Sequence, residues 1–132
     1  MPTFNIPLFD GYSHTGGHIF LKMLPVEGQA VTLPEAPDVK LFVHKYIHAA
    51  TLKPMPRAYV VSEYTTGAML LNDPQATPEK AIEALRAHVA AFPACIESFP
   101  LGIKNYLDRY PPANVVPGTM PDSKIGANSS AN

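Results

Sequence analysis

The sequence predicts an α+β fold: a small antiparallel sheet built from hairpins, two C-terminal helices packed on one of its faces, and an extended proline-rich tail. Three observations point to it. Apolar residues alternate with a period of two over 3–9, and a 3.6-residue period marks the stretches after residue 77. Fifteen prolines against 8 glycines divide the chain into short elements. At 132 residues and 46% hydrophobic content there is material for one core, so a single domain is placed at 1–110 and a Pro/Gly/Ser/Asn-rich tail at 111–132.

Phe4, Ile6 and Leu8 alternate with Thr3, Asn5 and Pro7, which predicts a strand over 3–9; Pro7 lacks a ladder donor and so places it at a sheet edge. Residues 10–17 read as a loop and 18–24 as a second strand. A turn at 25–28 is expected to lead to 29–33, which pairs back as a hairpin, before 35–37 break the pattern again. Residues 39–50 fit either type. Val39, Phe42, Val43, Tyr46, Ile47 and Ala50 form a helical stripe, but a strand through about Tyr46 is preferred because the strand expected at 57–64 needs partners. Thr65, Thr66 and Gly67 then form a hairpin loop with positive φ at Gly67, followed by a return strand at 68–71.

Thr77, Pro78 and Glu79 supply an N-cap hydroxyl, a proline at the first helical position and an acid in the first turn. They predict a helix over 78–92, stopped by Pro93, with Ile82, Leu85, Val89 and Phe92 on its buried face. A second helix is expected over 99–110, ended by Pro111 and Pro112 and weakened modestly by Gly102.

Composition excludes several classes. A net charge of −1 and a pI near 6.5 argue against both a basic nucleic-acid coat and a strongly acidic mimic. The single cysteine, Cys95, excludes a disulfide scaffold and leans toward a reducing, cytoplasmic setting. The longest apolar runs are far too short for a bilayer span, and residues 1–9 lack the features of a signal peptide, so a soluble protein with no membrane partner is expected.

Four of the five histidines form two i, i+4 pairs, His14/His18 and His44/His48. On a helix this spacing puts two imidazoles on one face; on a strand it leaves them two pleats apart. With Asp10 nearby, the four histidines are candidate ligands for zinc or iron in a metal-dependent hydrolase. No HExxH motif is present, however, so no cofactor is the preferred reading and ordinary polar or hydrogen-bonded core histidines are expected. The glycine-rich loop at 10–18 lacks the following helix that a phosphate cradle requires. Cys95 and His88 lack the spacing of a nucleophile and base, and no GxSxG elbow exists. Glu63 reads as a solvated outward carboxylate on its strand.

Charge is unevenly distributed. Between Asp38 and Glu63 the chain carries Lys40, Lys45, Lys53 and Arg57 and no acid, which leaves −5 on the rest. Phe42, Tyr46 and Tyr59 interleave with these cations, and Met55 lies in an exposed proline-flanked loop. The preferred functional reading is a non-catalytic accessory protein that binds a macromolecule, a protein rather than a nucleic acid, through Lys40, Lys45, Tyr46, Lys53, Met55 and Arg57, with the tail as a second contact. The alternatives are the metal-dependent hydrolase and a self-associating structural subunit, a homo-oligomer joined through an unpaired strand and the tail.

Overall fold

The computed structural model describes residues 2–12, 18–48, 51–71 and 73–114. It shows an α+β fold: a four-stranded antiparallel sheet followed by two helices. The strands are β1 (Thr3–Tyr12), β2 (His18–Leu33), β3 (Ala36–Ile47) and β4 (Pro54–Glu63), and the helices α1 (Pro78–Ala91) and α2 (Ala94–Leu107). Each strand pairs with the next, in the order β1-β2-β3-β4. Strand is thus the outcome for 39–47, the segment whose periodicity fits both types, and β1 is the edge strand that Pro7 requires.

The expected turn at 25–28 does not form. Instead β2 is one strand of 16 residues, whose first part pairs with β1 and whose last part pairs with β3. Pro25 is tolerated because of its register. It lies opposite Asn5, whose N–H and C=O both point outward to the Asn114 side chain, so Pro25 also faces away from β1 and costs that ladder no bond. Gly28 is there for a close crossing: a Cβ at this position would sit 2.8 Å from the Val43 carbonyl and 3.2 Å from the Phe4 ring.

The two faces of the sheet are buried differently. On one, Leu33, Leu41, Val43 and Val61 pack against Ala81, Leu85 and Val89 of α1. On the other, Phe4, Val26 and Phe42 form a smaller cluster with Ile6, Ile47 and Tyr64, and the Phe4 and Phe42 rings stack at 4.5 Å. Phe42 is completely buried because the β1–β2 ribbon folds over it.

The tight turn after β4 is as expected, with Gly67 at φ 70°. Glu63 is a correction: only 3% exposed, its carboxylate accepts from the Thr65 and Thr66 N–H groups at 2.8 and 2.7 Å and so caps the turn. The return strand shrinks to a single bridge between Ser62 and Met69. Consecutive Leu70 and Leu71 both pack on the helix-side cluster, which alternating strand side chains cannot do.

Helix α1 begins as its sequence dictates, with the Thr77 hydroxyl accepting from the Lys80 N–H at 3.1 Å. Its buried face is rotated toward Ala81, whose small side chain lets the helix approach the sheet, while Phe92 lies past the helix end and is 61% exposed. Helix α2 starts five residues earlier than the expected 99 and contains Pro100, an exposed residue that removes an N–H from a turn open to water. None of its residues is fully buried; it contacts the core through half-buried Cys95 and Ile96. Beyond α2, Ala113 is buried and donates to the Thr65 carbonyl at 2.7 Å. Residues 115–132, the rest of the expected tail, lie outside the described residues. Among the described residues no helix is long and apolar enough to cross a membrane.

Candidate functional site

The β2–β3 ladder runs from Leu33↔Ala36 to Gly28↔His44 and stops there. Beyond this pair β2 follows β1 while β3 follows β4, and the two strands part. The gap is a cleft of about 450 Å³, lined by Leu24, Val26 and Glu27 of β2, by Val43, His44 and Lys45 of β3, and by Leu52, Pro54 and Tyr59 beyond. Pro78, the first residue of α1, also lines it. Its walls are mainly apolar with a few polar groups, the composition of sites that take side chains or small molecules.

His44 forms part of this wall yet is only 5% exposed. The Lys45 carbonyl accepts a hydrogen bond from its Nδ1 at 2.8 Å, and since a carbonyl only accepts, Nδ1 carries the proton. Nε2 is therefore the acceptor for the Ser62 hydroxyl, also at 2.8 Å. Burial holds the imidazole below its usual 6.5, opposed by the bond to the Lys45 carbonyl.

The cationic segment is divided by the fold. Lys45 lines the cleft, and Lys53 stands between Leu52 and Pro54, which line it too. Arg57 is exposed two residues before Tyr59, with half-buried Met55 and Tyr46 on the same stretch of β4 and β3. Lys40 belongs elsewhere: it lies in a second groove, about 460 Å³, between the β2–β3 turn and α2, with Val39, Ile96 and Phe99. Among the described residues the salt bridges are Glu35–Arg86 at 2.8 Å and Lys104–Asp108 at 3.4 Å, and none engages Lys40, Lys45, Lys53 or Arg57. Leu52 and Arg57 both adopt left-handed backbone, at φ 58° and 60°. A non-glycine residue there costs roughly 1–2 kcal/mol, and such strain is concentrated at functional segments.

Of the candidate metal ligands, His44 lies within β3, His48 just past its end and His18 at the start of β2. His44 is buried with both ring nitrogens hydrogen-bonded, whereas His48 is exposed past the end of β3 and accepts from the Thr51 N–H at 3.4 Å. His18 starts β2 opposite Tyr12, and His14 lies outside the described residues. No group of three or more His, Cys, Asp or Glu able to hold a metal ion occurs among the described residues.

Against protein-family models, curated proteins and solved structures, the chain finds no match. The cleft itself escaped sequence reasoning. Gly28 and Pro25 suggest a turn, and only the register shows that they mark the point where two strands diverge.

Proposed function

We propose that this protein is a non-catalytic binding module for an acidic macromolecular partner, engaged at the β3–β4 end through Lys45, Lys53 and Arg57 with Tyr46 and Met55 beside them. The observation that carries this reading is the set of cations without an ion pair among the described residues. Lys45 lines an apolar cleft, Lys53 lies between two residues that line it, and exposed Arg57 lies two residues before Tyr59, which also lines it. Unneutralised cations beside an apolar cleft attract and orient an anionic partner. The acidic partner is a protein rather than a nucleic acid: Lys40 is separated from the cluster, Glu27 stands on the cleft wall, and the whole chain carries −1.

The test is a salt titration of binding to oligoglutamate, with a single-stranded oligonucleotide of equal charge alongside. Oligoglutamate affinity is expected to fall with salt and to be lost in the Lys45→Glu/Arg57→Glu variant. Unchanged affinity in that variant rejects the surface, and tighter oligonucleotide binding reassigns the partner.

A further inference from the structure

The cleft has a directional backbone edge as well as charge. Because Asn5 directs its N–H and C=O to Asn114, the Asn5↔Pro25 pair is of the open kind, and alternation places Met23 in the same outward orientation. The backbone groups of Met23 and the carbonyl of Pro25 therefore point away from β1, toward the side where β3 has already left β2. No described strand pairs with them there. On the opposite wall, Lys45 follows the orientation of Val43 and turns its carbonyl toward β2, where the His44 Nδ1–H satisfies it in place of a strand. The cleft is lined by consecutive residues on each side, Leu24 to Gln29 and Val43 to Lys45. Consecutive strand side chains point to opposite faces, so a cavity touching all of them lies between strand edges rather than over one face.

Resting on the binding-module reading above, we propose that the cleft receives an extended acidic peptide segment of a partner protein, which adds as a strand to β2. Met23 and the Pro25 carbonyl supply the ladder bonds. Pro25 cannot donate, so the incoming strand is held by fewer bonds than a full ladder, and side chains must contribute the remainder of the affinity. Alternate acidic side chains reach Lys45 and Lys53, and the intervening ones pack against Leu24, Ile47 and Leu52. Glu27 repels a carboxylate placed beside it and thereby sets the register.

The probe is a fluorescein-labelled peptide of alternating glutamate and valine, compared with its lysine–valine counterpart and with a version N-methylated at alternate amides. Binding of the acidic peptide is expected to slow hydrogen exchange of the Met23 amide and to weaken about tenfold or more on N-methylation and in Lys45→Glu. Binding that Lys45→Glu weakens while N-methylation and Met23 exchange leave no mark overturns strand addition and keeps the charged surface. No binding of the acidic peptide, or equal binding of the lysine peptide, overturns strand addition as well; the oligoglutamate titration then judges the binding-module reading separately.

Discussion

His44 and Ser62 meet across the β3–β4 ladder, with the serine hydroxyl donating to Nε2 at 2.8 Å and both side chains all but sealed from solvent. The pair has the atoms of a base and a nucleophile. At 1% exposure, however, Ser62 is a core residue, and the bond's physical role is to hold a neutral imidazole beneath the Phe42 ring.

That neutral ring makes stability depend on pH. The folded value of His44 is lowered from 6.5, so between that lowered value and about 6.5 the unfolded chain binds a proton that the folded chain lacks. The contribution is complete above 6.5 and is lost as pH falls toward the folded value. Melting temperature is expected to drop over this window, and His44→Phe should flatten the drop whatever its own stability. An identical slope in His44→Phe would locate the titration elsewhere.

Asn114 stands in for a missing strand neighbour. It accepts from the Asn5 N–H at 2.9 Å and donates to the carbonyls of Asn5 at 3.1 Å and Tyr64 at 2.7 Å. Asn114→Ala is expected to cost about 2 kcal/mol in denaturant unfolding and to speed amide exchange at Asn5. A loss confined to a few tenths, with Asn5 still protected, would show that this edge is held by something else.

Two glycines should answer alanine with opposite signs. At Gly67, with φ 70°, a Cβ would sit 2.8 Å from the Asn5 carbonyl and 3.0 Å from the Ala113 Cβ. Gly67→Ala is therefore expected to destabilise by about 2–4 kcal/mol. Gly102 faces open space within α2, and Gly102→Ala should stabilise by about 0.5–1 kcal/mol. Chemical denaturation of both variants reads the contrast directly.

Arg57 separates strain from charge. Replacement by glycine or by alanine removes the same cation, but only glycine accepts φ 60° at no cost. Arg57→Gly is expected to be about 1 kcal/mol more stable than Arg57→Ala, with oligoglutamate binding weakened equally in both. Equal stabilities would remove backbone strain from the description of this segment.

The Tyr106 hydroxyl is buried without a hydrogen-bond partner among the described residues, and burial, helped by Tyr110, pushes its ionisation up to about 12. Tyr106→Phe deletes the unsatisfied oxygen and keeps the ring packed edge-on to Phe9. Stability should rise by about 1 kcal/mol, and a clear loss in thermal unfolding would reveal a partner for that oxygen.

Where structure is set by neighbours in the chain, the sequence alone determined it. Thr77, Pro78 and Glu79 start α1, Gly67 turns the chain after β4, and Pro7 confines β1 to an edge, each through its own backbone preference. Only tertiary structure decided that Pro25 and Gly28 lie inside a strand, that Glu63 is buried against two N–H groups, and that Lys40 is parted from Lys45. The physical reason is common to Pro25, Gly28 and Glu63. A proline's missing donor, a glycine's missing Cβ and a carboxylate's solvation matter only through what another strand or turn brings against them, and that is fixed by strand register and sheet curvature.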